Sequence, residues 1–172
     1  LNDSRTKAKV LEFLLNWLHI ENGPDAVKDH THYSEFSKET AAAMRTSLLL
    51  FLNDVVWGTD SDYRRFFTED TVFLNDSLAP LFHIHLNENS PFQPVRIDDG
   101  QRAGIVTHPY MLSLLSYPDS TSPIHRGVFL ARNILGNVLQ PPVNAVAPLP
   151  ANVHPDLTTR ERVALQTEAS AC

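Results

Sequence analysis

The segment from Lys38 to Trp57, KETAAAMRTSLLLFLNDVVW, decides the fold class of this chain. Its apolar side chains recur at helical spacing over three turns, and Ser37 before it is a residue type that often caps a helix N-terminus. Gly58 after it suits the left-handed position that often follows a helix. We therefore predict a helix over residues 38–57. Its core-facing side chains are Met44, Leu48, Phe51, Leu52 and Val55.

Further helices are predicted on the N-terminal side and directly after this segment. Residues 5–20 have the pattern of an amphipathic helix. Its predicted apolar face comprises Val10, Phe13, Leu14, Trp17 and Leu18. Two short helices are predicted, one capped by Asp60 or Ser61 and one that begins at Asn75.

Helix start signals continue into the second half of the chain. Thr107 and Ser122 are predicted caps, and each is followed within two residues by a proline, which the first turn of a helix tolerates. The helix after Ser122 is expected to end at Gly136. Its predicted apolar stripe is Ile124, Val128, Ala131 and Leu135. Thr158 with Glu161 fits a capping box and predicts a last helix.

Proline marks two segments that we do not expect to be helical. Residues 87–100 hint at one short strand, which Pro91 and Pro94 restrict to an edge or irregular position. Residues 138–157 hold five prolines and are predicted to be extended. The fold class is therefore all-α, with about six or seven helices around one core, at most a minor strand, and a proline-rich segment near the C-terminus.

Composition excludes several classes of protein. The chain has 172 residues, 42% of them apolar, and a net charge of −6, which argues against a nucleic-acid-binding surface. No apolar run approaches the ~20 residues of a transmembrane helix. The sequence begins at Leu1 without a secretion signal, and we expect it to be part of a longer protein. The single cysteine cannot form an internal disulfide.

A series of short motifs resembles the planctomycete-type cytochrome-associated proteins, in which a helical domain of unknown function leads through a proline-rich segment into a c-type haem domain. The motifs are Phe13–Leu18, Tyr33–Phe36, Met44-Arg45, Phe51, Val55-Val56, Thr71–Ala79, Arg102–Ile105, Thr121–Gly127, Asn133–Gly136, Pro141-Pro142 and Thr158–Arg162. Their shared order over about 130 residues is more specific than any one of them. The sequence departs from the pattern at Phe82-His83, which lacks a glycine, and at Gln166, where the family usually has histidine.

This resemblance implies three parts in the chain. Residues 1–137 would form the helical domain, residues 138–157 the linker, and residues 158–172 the first helix of a haem domain. Cys172 then stands where the family has the first cysteine of a Cys-x-x-Cys-His motif, whose cysteines hold haem through thioether bonds. The resemblance thus implies haem c in the longer protein, and none in this chain alone, because the second cysteine and the histidine ligand are missing.

Three more residues are candidate haem contacts. Arg126 and Arg102 are predicted to contact haem propionates, because a guanidinium can hold a carboxylate at two points. The structural alternative for Arg126 is that it stabilises the turn at Ser122. His108 is the histidine that we would test as a distal haem ligand, with Met111 as a competing candidate; packing or capping is the alternative for both.

No catalytic or metal site is predicted. His30 with His32, and His83 with His85, each supply at most half of a metal site, and no His-Glu-x-x-His pattern adds the other ligands. Neither a nucleophile elbow nor a phosphate-binding loop is present. Asp98-Asp99 before a glycine indicates a turn.

The functional prediction therefore depends on the resemblance. It implies a helical module of an exported, c-type-cytochrome-containing protein that supports electron transfer in the periplasm or at the cell surface. Its partners would be the haem domain that continues after Cys172 and a redox partner protein. The alternatives are a non-redox binding or scaffold module of a large surface protein, or a substrate-pocket domain of a haem-linked oxidoreductase, so enzymatic activity is left open.

Overall fold

The structure is a computed structural model that describes residues 3–20, 26–97, 100, 102–140 and 156–167. The chain divides into two compact units, Leu1–Leu114 and Leu115–Cys172. The described residues are mostly helical, as predicted. Their α-helices are α1 (Ser4–Trp17), α2 (Lys38–Trp57), α3 (Arg65–Thr68), α4 (Pro109–Leu114), α5 (Pro123–Phe129) and α6 (Thr159–Thr167). Two strands accompany them, β1 (Thr71–Leu74) and β2 (Gln93–Arg96). The five prolines of the predicted linker lie at positions 141, 142, 148, 150 and 155, all outside the described residues.

Helix α2 forms the centre of the first unit, with the predicted bounds and the predicted core. The five side chains expected to face inward are all buried, and Leu48 and Leu52 are fully so. Ser37 caps the helix, since its hydroxyl accepts a hydrogen bond from the backbone N–H of Thr40 at 3.1 Å. Burial of several large side chains contributes roughly 1.5–3 kcal/mol each, so this helix anchors the unit.

The end of α2 differs from the prediction. Gly58 is extended, with φ −67° and ψ 178°, and the left-handed residue is Ser61 at φ 43°. Position 58 requires glycine because a side chain would not fit there, and not because of its φ. A β-carbon would lie 2.3 Å from the carbonyl oxygen of Asp54. The same oxygen accepts a hydrogen bond from Gly58 N–H at 2.8 Å.

Helix α1 packs on α2 through a face slightly different from the predicted one. Leu14, Leu15 and Leu18 are buried, whereas Phe13 is 65% exposed. Leu11, Leu14 and Leu18 follow the i, i+3, i+7 spacing of one stripe, and Phe13 lies outside that stripe. The prediction of Phe13 in the core was wrong because its spacing from Trp17 fitted a second stripe equally well.

The two short helical segments after α2 have no side-chain hydrogen bond at their N-cap positions, Arg64 and Leu78. Polar side chains two and three residues earlier bond to those residues instead. Asp62, rather than Asp60 or Ser61, accepts a hydrogen bond from Arg64 N–H at 3.0 Å, before α3. Asn75 accepts one from Leu78 N–H at 3.1 Å, and a 3₁₀ turn follows over Ala79–Phe82.

The two strands form an antiparallel hairpin-like sheet. Val72 lies opposite Val95, and Phe73 lies opposite Pro94. A two-stranded sheet has only edge strands, so the missing N–H of a proline is tolerated there, as the sequence predicted for β2. Strand β1 was not predicted, because its four residues lie between polar turns and are too few for a clear alternating pattern.

Helix α5 in the second unit begins as predicted but continues differently. Ser122 accepts a hydrogen bond from His125 N–H at 3.2 Å, and Pro123 occupies the first turn. A π-helical turn over Leu130–Ile134 then adds a residue to the turn, so the 3.6-residue stripe loses its phase. Leu135, which follows the π turn, is exposed against the prediction. Ile124 in the first turn of α5 is exposed as well, and Phe129 is the buried side chain of this helix.

Two other helix-end predictions in this unit are confirmed. Gly136 has φ +67° directly after the helical segment. Thr158 and Glu161 form the capping box of α6: Glu161 Oε2 accepts from Thr158 N–H at 2.7 Å, and Thr158 Oγ1 accepts from Glu161 N–H at 3.3 Å. These local signals need no tertiary context, and so the sequence was sufficient to find them.

Candidate functional site

The segment that carries Arg102 and His108 is held against α3 by a close backbone approach. The N–H of Gly104 donates to the carbonyl oxygen of Glu69 at 2.7 Å. Gly104 has φ +59° and ψ −160°, and a β-carbon there would lie 2.0 Å from the carbonyl oxygen of Phe66. Only glycine allows both this backbone conformation and this distance. A 3₁₀ turn over Ile105–Thr107 then leads to α4.

His108 caps α4, rather than the predicted Thr107. The hydroxyl of Thr107 bonds backwards to the N–H and the carbonyl of Ala103, at 2.7 and 2.9 Å. The imidazole Nδ1 of His108 instead accepts a hydrogen bond from Tyr110 N–H at 3.3 Å. In this turn, His108 therefore provides the helix cap, whereas Thr107 stabilises the preceding 3₁₀ turn.

Both ring nitrogens of His108 are hydrogen-bonded within the protein. Because Nδ1 is an acceptor, the proton of the neutral ring lies on Nε2, which donates to the hydroxyl of Ser47 at 3.3 Å. His108 is 3% exposed and Ser47 is 1% exposed. The ring also lies beside Phe51, at 6.3 Å between centroids. The serine is thus a hydrogen-bond partner in the core, and the arrangement does not generate a nucleophile.

Burial keeps His108 uncharged. Removal of the ring from water lowers the pKa of His108 from 6.5 to about 3. The imidazole is therefore neutral at ordinary pH. The two hydrogen bonds also require the neutral ring.

Charged side chains near this segment are paired. The guanidinium of Arg102 lies over the ring of Phe82, at 5.0 Å from its centroid. Arg65 donates to Glu69 at 2.8 Å and to Asp54 at 2.6 Å, so one arginine joins α2 and α3. Burial alone would raise the pKa of Glu69, but hydrogen bonds from Arg65 and Thr71 outweigh it and the pKa lies below its usual value.

Arg102 and His108 line one small recess, which we name the Arg102 recess. Its other lining residues are Phe51, Glu69, Asp70, Thr71, Val72, Phe82, Ala103, Gly104, Thr107 and Pro109. The recess offers about 10 Å³, which is the space of a single water molecule. Cofactor and substrate pockets are typically about 300–1,000 Å³. The recess beside His108 is therefore much smaller than such pockets. The predicted ligand role of His108, and that of its rival Met111, which is also buried, stays a prediction.

The other predicted contacts belong to the second unit or lie outside the described residues. Arg126 donates from Nη2 to the hydroxyl of Thr121 at 3.0 Å, next to the Ser122 cap, so it does stabilise the start of α5. Its role as a haem contact remains a prediction. Cys172 lies outside the described residues, as does Asp98-Asp99.

Histidine pairs do not build a metal centre in the described ranges. No group of three or more His, Cys, Asp or Glu side chains there could hold a metal ion. His32 is instead bonded to Asp29, with 2.8 Å between Nδ1 and Oδ2. Among the helices of the same ranges, none has the length and apolar character that a membrane span requires.

Two features of the first unit were missed by sequence reasoning. Ser47 is 61 residues away from His108 in the sequence, so no local pattern joins them. The segment His32–Phe36 lines an open depression, which no pattern in the sequence indicated. The available signal was the Tyr33-Ser34-Glu35-Phe36 order, because loops often carry binding residues and two aromatic side chains there could form a wall.

Comparison with known families identifies both halves of the chain. Residues 1–84 match the family described as PSD4, a protein of unknown function (DUF1592). Residues 102–172 match the family described as PSCyt3, a protein of unknown function (DUF1588). Both are planctomycete cytochrome-type domain families. The two matches are consistent with a planctomycete-type cytochrome-associated protein of unknown function, which is the family that the motifs resemble. No curated protein and no solved structure matches it significantly.

The two matched regions meet inside the first unit. Phe51 and Glu69 belong to the first match, whereas Arg102 and His108 belong to the second, and all four line the Arg102 recess. The start of the second match therefore completes the core that α2 begins.

Proposed function

We propose that this chain is the helical module of an exported c-type-cytochrome-containing protein, and that it supports electron transfer by holding a haem domain in place. The observation that carries the proposal is the succession of two cytochrome-type families along one chain. Covalent haem attachment of the c type takes place outside the cytoplasm, so we expect the protein in the periplasm or at the cell surface.

A holding role is consistent with the chemistry of the described residues. The buried Ser47–His108 pair stabilises the core, and the Arg102 recess is too small for a substrate. The haem would be carried by the domain that continues after Cys172, where it would supply reversible uptake of one electron. Arg126 lies half-buried at the start of α5, where its remaining guanidinium N–H groups can meet a carboxylate of such a domain.

The alternative of a non-redox binding module is favoured by one observation. The depression along His32–Phe36 has an open mouth and a volume of about 280 Å³, unlike the Arg102 recess. Binding there and haem support do not compete, because the depression shares no lining residue with the recess.

Replacement of Cys172 by serine in the complete gene product tests the haem assignment. We expect the pyridine haemochrome spectrum to shift toward that of a haem with one free vinyl group, because one thioether bond can no longer form. Ser170→Ala, two residues earlier, is the matched control and should leave the spectrum unchanged. A complete gene product without covalent haem, or an unchanged spectrum for Cys172→Ser, would refute the assignment.

Replacement of Arg126 by glutamine tests the contact with the haem domain. We expect a more negative reduction potential of the complete protein, because a propionate that loses its cation stabilises the oxidised haem. Arg132→Gln removes the same charge from an exposed position one turn and a half further along, and should shift the potential less. Equal shifts for the two variants would mean that Arg126 acts only through net charge.

A further inference from the structure

The first unit carries an open depression that the haem proposal does not use. We name it the Tyr33 depression. It has a volume of about 280 Å³, and its lining consists of the consecutive residues His32–Phe36 together with Thr40 and Leu81. Tyr33 and Leu81 are exposed large side chains, at 43% and 37%. The depression therefore combines an aromatic and aliphatic wall with several polar groups, which is the usual composition of a small-ligand site.

The loop that builds the depression is fixed at both ends. Asp29 accepts hydrogen bonds from Thr31 N–H at its carboxylate and from Tyr33 N–H at its carbonyl, both at 2.9 Å. At the other end, the Phe36 N–H donates to the carbonyl oxygen of Tyr33 at 3.0 Å. The hydroxyl of Thr40 donates to the backbone carbonyl oxygen of Glu35 at 3.3 Å. These bonds hold the aromatic ring and its polar neighbours in place before any ligand binds.

The polar groups of the depression have unused hydrogen-bonding capacity. His32 donates through Nδ1 to Asp29, so its Nε2 is left as an acceptor in the neutral ring. Within the described part of the chain, the hydroxyls of Tyr33 and Ser34 and the carboxylate of Glu35 have no hydrogen-bond partner in the protein. Two acceptors and two hydroxyls, which both donate and accept, therefore face the solvent along one short segment.

We propose that the Tyr33 depression binds one pyranose unit of an uncharged carbohydrate. A pyranose ring has a C–H-rich face that packs on an aromatic ring, and its hydroxyl groups need both donors and acceptors at the rim. The volume suits one such ring with part of it open to solvent. An anionic ligand is disfavoured, because Glu35 and Asp29 place two carboxylates at this loop.

A cationic amine is the competing ligand chemistry, and the observations favour the sugar over it. An ammonium group has only donors, so it would use the carboxylate of Glu35 and the ring of Tyr33 but leave the donor capacity of both hydroxyls unused. A sugar hydroxyl can accept as well as donate, and it uses all of these groups at once.

The test is titration of the 172-residue chain with the methyl glycosides of glucose, galactose, mannose and xylose, followed by isotope-edited NMR. We expect saturable, millimolar binding of at least one glycoside, with shifts confined to the backbone of residues 31–40 and near Leu81. Tyr33→Ala and Glu35→Gln should each weaken it about tenfold, because each removes one of the principal contacts. Tyr63→Ala and Glu12→Gln are matched controls at other exposed positions and should not change it.

Each other outcome would overturn the proposal. Absence of saturable binding for all four glycosides, or equal binding by Tyr33→Ala and Glu35→Gln and the native chain, would mean that the depression is not a sugar site. Shifts at the same residues on addition of butylammonium, with no glycoside binding, would assign it to amines instead. Covalent haem in the complete protein is unaffected by any of these results, so failure here is distinguishable from failure of the proposed function.

Discussion

Replacement of Gly104 by alanine is expected to destabilise the first unit by about 3 kcal/mol or more, through backbone strain and overpacking together. A β-carbon at this position would lie 2.0 Å from the carbonyl oxygen of Phe66 and 2.6 Å from its carbonyl carbon. Both are backbone atoms, so they move only if α3 moves. The positive φ and the ψ of −160° add strain of about 1–3 kcal/mol for a residue with a side chain. Overpacking adds a similar amount.

Chemical denaturation followed by circular dichroism measures this effect, and Gly100→Ala supplies the control. Gly100 has a similar φ of +64°, but nothing lies within 4 Å of the position that a β-carbon would occupy there. Only the conformational penalty of about 1–2 kcal/mol therefore remains. The difference between the two variants isolates the contact with Phe66. If both variants lose the same stability, the close approach of the Arg102 segment to α3 is not rigid.

The helices whose determinants are local were predictable from the sequence. Helix α2 has its cap, its period and its bounds within residues 37–58, and the capping box at Thr158 lies within four residues. Such signals act before any tertiary contact exists, so the pattern and the structure agree.

Features that depend on longer range were not predictable. The π-helical turn over Leu130–Ile134 moves Leu135 out of the predicted stripe, and no residue type in the sequence predicts such a turn. Strand β1 is defined by its partner β2, which follows only after an intervening 3₁₀ turn and loop. Gly58 is required by the nearby Asp54 carbonyl rather than by its φ, which a sequence pattern does not distinguish.

The candidate site was predictable only in part, for the same reason. The resemblance pointed to Arg102 and His108, and the structure brings both to one recess. It did not point to Ser47, whose helical spacing places it in the core of α2 without indicating a partner. The role of a single buried histidine depends on the groups that bond to it. Those groups come from elements far apart in the sequence.

Acidification is expected to destabilise the first unit through His108. The pKa of His108 is about 3 in the folded protein and 6.5 for a solvated histidine. Between these values, the histidine is protonated in the unfolded chain and neutral in the folded chain. Stability from this residue is complete above pH 6.5 and falls as the pH drops from 6.5 toward 3. By linkage, the loss is about 2 kcal/mol at about pH 5 and about 3 kcal/mol at about pH 4.

His108→Gln separates this effect from the titration of surface carboxylates. Glutamine carries no titratable proton, yet its amide can donate to Ser47 as the imidazole Nε2 does. The free energy of unfolding, measured by denaturation at several pH values between neutrality and about pH 4, should therefore fall less steeply for the variant than for the native chain. Glu69, Asp70 and Arg102 line the same recess and are present in both proteins, so their contributions cancel in the comparison.

His125→Gln provides the matched control, since His125 is exposed on α5. That variant should keep the pH dependence of the native chain, because His125 belongs to the second unit and takes no part in the buried His108–Ser47 pair. Parallel curves for the native chain and His108→Gln would show that the ring can charge without leaving the core. A charged ring in the folded state needs a water molecule beside it. The Arg102 recess has space for one such molecule.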